Sequence, residues 1–192
     1  MKTKNTILKF SAIIFIAMIF ILQTGCKKDE NNDPVSGDAE LNVSLKSSTS
    51  SKSNYESVNI DIQKVSIHTS TDTTQTSGWI DLETNTGVYD LLDYDAGNDT
   101  IIALDTALQV ITVSQIRLIL GNNNTVVDSG ETYDLDTPSG QTSGIKIQVH
   151  AQLQPNHAYK VVLDFDADQS ILKTGNGKYK LKPVINATVV QL

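Results

Sequence analysis

Three aspartates alternate with other residues in one short stretch, at Asp164, Asp166 and Asp168. Carboxylates at alternating positions open calcium-binding loops, because Ca²⁺ is held by hard oxygen ligands. The rest of such a loop is missing, since Gln169 stands where the sharp turn needs glycine and Gly175 stands where a bidentate Glu is needed. The alternative is that Asp166 caps a short helical segment by accepting backbone N–H groups. The sequence favours this structural role over a metal site.

Two further polar segments have residue types that could bind a ligand. Asp93, Asp95 and Asp99 lie near Gly97 and could hold a cation, but a solvated turn is the favoured interpretation. The loop over residues 139–144 is rich in hydroxyls and glycine, and it could present N–H groups to a ligand. It lacks the Gly-x-Ser-x-Gly pattern of a hydrolase nucleophile. We therefore expect a structural hairpin loop there.

Histidines and aromatic residues give no clear catalytic pattern. His68, His150 and His157 are the only histidines, and none stand at the spacing of a metal-binding pair. Trp79 and the six tyrosines could stack on sugar rings, although packing in the core or at a sheet edge is more common. No nucleophile stands beside a base in the sequence, so we expect a protein that is not an enzyme and that needs no cofactor.

Arg117 is the only arginine, and it lies within an apolar strand-like segment. An arginine in that setting is expected to pair with a carboxylate such as Asp164, Asp166 or Glu131. A two-pronged pair of this kind would fix the register of neighbouring strands. The sequence thus predicts a structural role, in which loss of Arg117 destabilises the fold.

The only cysteine, Cys26, ends an apolar segment near the N-terminus. Residues 23–26 resemble a lipobox, the site where bacteria attach lipid to an exported protein, although Gln23 stands where Leu is usual. The apolar run over residues 10–22 follows three lysines and is shorter than the roughly 20 residues that span a membrane, which is typical of a signal peptide. We expect acyl chains such as palmitate on Cys26 to anchor the protein.

The residues behind the cysteine point to a location. Lys28, Asp29 and Glu30 match the spacing of the surface-export signal of Bacteroidota lipoproteins, which places a lysine and then two acidic residues after the lipidated cysteine. The alternative is a solvated linker on the periplasmic side. The sequence predicts a lipid-anchored protein of the outer membrane, exposed at the cell surface.

Composition divides the chain into a signal peptide over residues 1–25, a polar tether over 26–38 and one domain over 39–192. Residues 1–25 contain three lysines and no acidic residue, so their removal changes the formal net charge from −7 to −10. An acidic surface repels phosphate backbones, which excludes nucleic acid as a partner. With Cys26 used for lipid, the domain has no disulfide and no thiolate metal site.

The pattern of the domain is that of β-structure. Apolar residues alternate with polar ones over residues 41–45, 58–67, 145–149 and 159–165, with turn residues between such segments. The alternation slips between Ile62 and Val65, which predicts a β-bulge. Residues 178–191 are predicted to form a last strand pair or one long strand, with Pro183 at an edge or bulge. The fold class is therefore an all-β, antiparallel β-sandwich, immunoglobulin-like or transthyretin-like.

A series of short motifs in the second half resembles one family. The motifs are Gln115-Ile116-Arg117-Leu118, Tyr133-Asp134-Leu135, Pro138-Ser139-Gly140, Ser143-Gly144-Ile145-Lys146-Ile147, Leu163-Asp164-Phe165-Asp166-Ala167, Ser170-Ile171 and Tyr179-Lys180-Leu181-Lys182-Pro183-Val184-Ile185, with Val65 and Trp79 before them. Together they are similar to the domain-of-unknown-function 4382 family over about residues 39–186. One departure is the segment Val110 to Ser114, where the family pattern has a Gly-x-Tyr strand entry. The resemblance implies a secreted or lipid-anchored β-sandwich and no particular activity.

Three classes of function remain after these observations. The first is a non-enzymatic module that binds or presents a glycan, a peptide or an envelope protein. The second is a structural or adhesive envelope component, and the third and least favoured is a hydrolase. An aromatic concave face would favour a glycan, an unpaired strand edge would favour strand addition, and a pocket of converging carboxylates would favour an enzyme.

Overall fold

Two packed β-sheets make up the described part of the chain. The structure is a computed structural model, and it describes residues 37–48, 53–72, 74, 77–94, 97–109 and 112–192. The strands are β1 (Ala39–Ser47), β2 (Ser57–His68), β3 (Trp79–Asp81), β4 (Glu83–Thr84), β5 (Gly87–Asp90), β6 (Thr100–Leu108), β7 (Thr112–Leu120), β8 (Thr125–Asp128), β9 (Glu131–Asp136), β10 (Ile145–Gln152), β11 (Ala158–Phe165), β12 (Ile171–Lys173), β13 (Tyr179–Leu181) and β14 (Ile185–Gln191). A 3₁₀ turn (Leu91–Asp93) follows β5, and a short helix α1 (Ala167–Ser170) follows β11. No helix among these residues is long and apolar enough to cross a membrane.

The first sheet has five strands in the order β14-β11-β1-β6-β4. Its central strand β1 alternates apolar and polar residues, so that Leu41, Val43 and Leu45 are buried against the second sheet. β11 contributes Val161 and Leu163 to the same layer. The alternation seen in the sequence thus gives the inner face of the sheet directly.

The second sheet follows the order β10-β7-β2-β8-β9-β13-β12, and β3 and β5 add to the other side of β2. β2 is the longest strand and pairs with four others along its length. Its register with β7 shifts between Ile62 and Lys64. The predicted β-bulge is confirmed at this place.

The core lies between the two sheets and confirms the predicted all-β sandwich. Its largest fully buried side chains come from both layers, among them Phe165, Leu41, Ile60, Ile116 and Tyr179. Burying an aliphatic side chain of this size contributes about 1.5–3 kcal/mol to folding. With no disulfide in the described residues, this packing and the backbone ladders hold the domain together.

Strand direction differs from the predicted antiparallel pattern at two places. β1 pairs with β11 in parallel over eight residue pairs, and β13 pairs with β9 in parallel. Alternation of side chains is the same in parallel and antiparallel sheets, so it carries no information about direction. Strands far apart in sequence become parallel neighbours here because the chain crosses between the layers.

The last segment of the chain divides between the sheets. β13 lies in the second sheet, whereas β14 pairs with β11 at the edge of the first sheet. Pro183 lies in the connection between them, where it needs no ladder hydrogen bond. The predicted strand pair is therefore two strands that do not pair with each other.

Two sheet edges come together on one side of the sandwich. β14 ends the first sheet, and β10 ends the second. The two strands approach each other without pairing. A groove is left between them, and its residues are described below.

Candidate functional site

The three alternating aspartates bind different partners within the fold. Asp166 accepts a hydrogen bond from Gln169 N at 2.9 Å and caps α1, as the structural interpretation predicted. Asp164 forms an ion pair with Lys46 at 3.0 Å. Asp168 accepts from the Ser53 hydroxyl and from a backbone amide in the loop before β2. No group of three or more metal-ligating side chains occurs in the described part of the chain, so nothing supports a calcium site here.

In the second acidic patch and in the 139–144 loop, the structure shows structural contacts and no metal-binding group among the described residues. Asp99 forms an ion pair with Lys160 at 3.1 Å, while Asp95 is not among the described residues. In the 139–144 loop, Gly144 N donates to Ser139 O, so the loop is closed by its own backbone. The lipidation candidate Cys26 and the export residues Lys28, Asp29 and Glu30 all fall outside the described residues.

Histidines occupy structural or exposed positions. His68 is fully buried, and its ring contacts the Ser114 hydroxyl at 3.0 Å and the Ser77 carbonyl at 2.9 Å. His150 is exposed, with a positive φ of 55°. Nδ1 of His157 lies 2.9 Å from the carbonyl oxygen of Pro155. The structure brings none of the three together.

Arg117 does not form the predicted pair with a carboxylate. Asp164 is paired with Lys46, and no described acidic residue forms an ion pair with Arg117. Its guanidinium lies 4.3 Å from the centroid of the Trp79 ring, and Nη2 donates a long hydrogen bond of 3.4 Å to Ser66 Oγ. The stacking partner comes from β3, a neighbour that the local sequence around Arg117 does not indicate.

Arg117 belongs to a set of side chains on the outer face of the second sheet. Strand register places Lys146 beside Arg117, and places Gln148 beside Gln115. On β2, His68 lies between Trp79 of β3 on one side and Gln115 of β7 on the other. We call Trp79, Gln115, Arg117, Lys146 and Gln148 the basic face.

Aromatic stacking fixes the geometry of the basic face. Lys146 Nζ lies 5.8 Å from the Trp79 ring centroid, so two cations lie against one indole. The buried His68 ring supports Trp79 at 4.8 Å between centroids. A guanidinium over an aromatic ring is held in place by attraction to the ring, and its planar fork of donors suits a carboxylate.

Two polar atoms of the basic face have no hydrogen-bond partner among the described residues. They are Gln115 Oε1 and Arg117 Nε. The Gln115 side chain is almost fully buried, with 4% of the residue exposed. An unsatisfied buried polar group costs about 1–3 kcal/mol.

Most cations of the described chain are paired with an acidic residue. Five lysines form ion pairs with aspartates, namely Lys46, Lys64, Lys160, Lys173 and Lys180. Arg117, Lys146, Lys178 and Lys182 form no ion pair with any described residue, and all of them except Lys178 belong to the basic face or to the groove described below. Asp81 is the nearest acidic neighbour, but it binds Lys64 Nζ at 2.8 Å and the Ser66 hydroxyl at 2.7 Å. The hydrogen bond from Lys64 lowers the pKa of Asp81, and the one from Ser66 acts in the same direction.

The basic face continues into the groove between β10 and β14. This groove has a volume of about 770 Å³ and includes Lys146, Gln148, Lys182, Ile147 and Ala187 among its walls. The described residues that line it include no Asp or Glu. In a domain of negative formal charge, this groove is lined by two lysines and by apolar side chains, without a carboxylate among its described lining residues.

Gly144 allows the strand beside this region to begin close to its neighbour. Its φ is +76°, and a Cβ atom there would lie 2.6 Å from Arg117 Cγ and 2.9 Å from the Leu118 carbonyl oxygen. Any larger residue would displace Arg117 or the backbone of β7. The glycine thus helps to set the position of the guanidinium.

A second aromatic region lies elsewhere on the second sheet, around the buried Tyr179. Its ring contacts Tyr133 at 4.9 Å and Tyr55 at 6.2 Å between centroids. Its hydroxyl donates to Asp128, which also binds Lys173 Nζ at 2.9 Å. We call these five residues the tyrosine cluster.

The charged groups of the tyrosine cluster bind partners within the cluster. The Tyr179 hydroxyl and then Lys173 lower the pKa of Asp128 to about 2. Hydrogen bonds to Tyr179 and then to Asp128 raise the pKa of Lys173. Burial raises the pKa of Tyr55. Each charge in this cluster has its partner within the fold.

The sequence drew attention to Arg117 and Trp79 separately, but it did not predict that their side chains contact each other. It missed Gln115, Lys146 and Lys182 as members of a site. Their relation depends on cross-strand register between strands that are distant in the chain. The available signal was the scarcity of cations in an acidic chain, which makes three unpaired ones in one region informative.

The comparisons with known proteins find one family and name no activity. The family described as domain of unknown function DUF4382 matches residues 38–183, which include the basic face but end before β14. No curated protein and no solved structure matches the chain. Because the match spans well over half of the sequence, the chain belongs to the DUF4382 family of domains of unknown function.

Proposed function

We propose that this protein is a non-enzymatic binding module, held by lipid on Cys26 at the outer membrane and exposed at the cell surface, that binds a carboxylate-bearing ligand at the basic face. The observation that carries the proposal is the pair of unpaired cations, Arg117 and Lys146, stacked on Trp79 beside the unsatisfied Gln115. A structural arginine would be expected to have its carboxylate within the fold. Arg117 has instead one long hydrogen bond to Ser66 and no ion pair with a described carboxylate.

The chemistry of the ligand follows from the donors. A stacked guanidinium offers two parallel N–H groups to a carboxylate, and Lys146 adds a second positive charge. Acidic peptides carry such carboxylates.

Trp79 gives a direct test of binding, since it is the only tryptophan in the chain. The purified full chain is titrated with a peptide of about eight residues in which Glu and Val alternate, and indole fluorescence is recorded. We expect a saturable change, weakened at least about tenfold by Lys146→Gln, because a charge-assisted contact is lost. The control is Lys160→Gln, which removes a lysine paired with Asp99 in the other sheet.

Failure of this test has a clear form. No fluorescence response to the acidic peptide, or an equal response to a peptide with Gln in place of Glu, would contradict carboxylate recognition. Equal weakening by Lys160→Gln would attribute the effect to overall charge and would also contradict the site.

Anchoring and exposure are tested in cells. Labelling with a palmitate analogue is expected to modify the chain and to be abolished by Cys26→Ser. Protease added to intact cells is expected to cleave the anchored protein, and replacement of Lys28, Asp29 and Glu30 by Ala is expected to protect it. Protection of the wild-type chain equal to that of a periplasmic control would contradict surface exposure.

A further inference from the structure

The outer edge of β14 is an unpaired strand edge without charge. The segment Ile185–Gln191 contains no charged residue, and β14 pairs only with β11 among the described strands. Folded proteins usually protect such edges with lysines, prolines or bulges, because the open backbone groups attract other strands. The opposite edge of the same sheet, β4, is only two residues long. β14 lacks the usual protections over seven residues.

Backbone hydrogen bonds show which groups of β14 face outward. Leu192 N donates to Ala158 O, and Val184 O accepts from Asp166 N, so the even-numbered residues face β11. In an antiparallel pair the direction alternates at every residue. The N–H and C=O groups of Ile185, Ala187 and Val189 therefore face away from β11, toward the groove side. They form no ladder with another described strand.

We propose that an extended, acidic polypeptide segment docks on β14 as an added strand, with its carboxylates on the cations of the groove and the basic face. This inference rests on the proposed function and makes it more specific, because it identifies the ligand as a polypeptide held by its backbone. Pairing along β14 gives affinity that does not depend on sequence, and the lysines select for acidic side chains.

Spacing within the groove fits a strand with two different faces. Side chains of a strand alternate between its faces at about 3.3 Å per residue. Apolar side chains of the docked segment would lie on Ile185, Ala187 and Ile147, which line the groove. Its acidic side chains would then face outward, where Lys146 and Lys182 are exposed.

Charge decides between an acidic segment and a second copy of this chain. Two copies paired through β14 about a two-fold axis would bring the same surface of each together. The cations Lys146 and Lys182 of one groove would then face those of the other. An acidic segment meets complementary charge at the same place, so the edge is assigned to a different polypeptide.

The experiment removes one outward N–H group without touching the β11 ladder. Ala187→Pro in the full chain deletes the donor that faces the groove, and Ala187→Thr is the control, since it keeps the N–H group on a strand-forming residue. The probe is the alternating Glu–Val peptide, followed by Trp79 fluorescence. We expect at least about tenfold weaker binding to the Ala187→Pro chain, and near wild-type binding to the Ala187→Thr chain.

A second measurement alters the peptide instead of the protein. The same peptide, N-methylated at alternate residues, keeps its charges but loses the donors of one edge. We expect at least about tenfold weaker binding to the unaltered chain, which keeps the test independent of whether the Ala187→Pro chain folds. N-acetylglutamate, which has a carboxylate and no strand, should bind the wild-type and Ala187→Pro chains alike.

The outcomes separate this inference from the proposed function. Equal affinity of the methylated and plain peptides would overturn strand addition while leaving carboxylate binding in place. No binding of either peptide would overturn both. Dimers of the chain in the absence of peptide, lost in the Ala187→Pro variant, would assign the edge to a second copy and would also overturn the inference.

Discussion

The basic face and the tyrosine cluster are built from similar parts and have opposite properties. In each, a cation lies over an aromatic ring: Arg117 is 4.3 Å from the Trp79 centroid, and Lys173 is 5.1 Å from that of Tyr179. In the tyrosine cluster, Asp128 binds both the lysine and the tyrosine hydroxyl. On the basic face, Arg117 forms no ion pair with a described residue, since its acidic neighbour Asp81 is bound by Lys64 and Ser66, and a polar atom beside Arg117 lacks a partner.

Whether a polar group finds its hydrogen-bond or ion-pair partner within the fold is therefore more informative about its role than its residue type. A network whose charges are satisfied within the fold holds strands together and leaves nothing for a ligand. A network that leaves donors and acceptors unmet lowers stability, and a binding partner can restore what is lacking. The same aromatic–cation pair thus has a structural role in one region, and we propose a binding role for it in the other.

The largest effect should come from breaking the tyrosine cluster. Tyr179 is 1% exposed and contacts two other tyrosines, so Tyr179→Ala leaves a cavity and removes a hydrogen bond. We expect the free energy of unfolding to fall by about 3–5 kcal/mol in urea denaturation. Peptide binding at a temperature where the variant stays folded should be unchanged. Loss of binding in the folded variant would contradict the separation of the two regions.

The second-largest effect should be a loss of stability of the tyrosine cluster at acidic pH. The folded pKa of Asp128 is lowered to about 2 from an ordinary value of 3.8, so its contribution to stability is present above about pH 4 and is lost as the pH falls through 2. Asp128→Asn cannot lose a charge, so it should be less stable than the wild type at neutral pH and should converge with it near pH 2. Melting temperatures over this range test the prediction. Parallel pH curves for the two proteins would count against it.

Salt should produce the smallest effect, and it should act on binding alone. Screening shortens the range of exposed charges from about 10 Å at 0.1 M salt to about 3 Å at 1 M. Because Arg117, Lys146 and Lys182 meet the acidic peptide partly at the surface, we expect its affinity to fall several-fold over this range. The melting temperature of the free chain should change little, since its core is apolar. Affinity that does not respond to salt would argue against charge recognition.

Much of the fold could be predicted from the sequence, because side-chain alternation is a local signal. The inner face of β1, the bulge in β2 and the Asp166 cap all follow from residues within a few positions of one another. The parallel pairing of β1 with β11 could not be predicted, since alternation is blind to direction and the two strands are far apart in the chain. The partner of Arg117 was predicted wrongly for a related reason. Trp79 reaches it across β2, and only register reveals that contact.

The candidate site was less accessible to sequence reasoning than the fold. Acidic clusters attracted attention because they stand close in sequence, yet their members bind different partners in the structure. The basic face combines β3, β7 and β10, and the groove adds β14. Unpaired cations in an acidic chain were the signal available, but pairing is a property of the folded state.

One matched pair of variants tests the central contrast most directly. Arg117→Gln and Lys173→Gln each remove the cation from an aromatic pair, and each is measured for peptide affinity by Trp79 fluorescence and for melting temperature. We predict that Arg117→Gln weakens peptide binding at least about tenfold and shifts the melting temperature by less than about 4 °C. Lys173→Gln should leave the affinity within about twofold and should lower the melting temperature, because Asp128 loses a partner. Unchanged affinity in Arg117→Gln, or an equal loss of affinity in Lys173→Gln, would contradict the assignment of binding to the basic face.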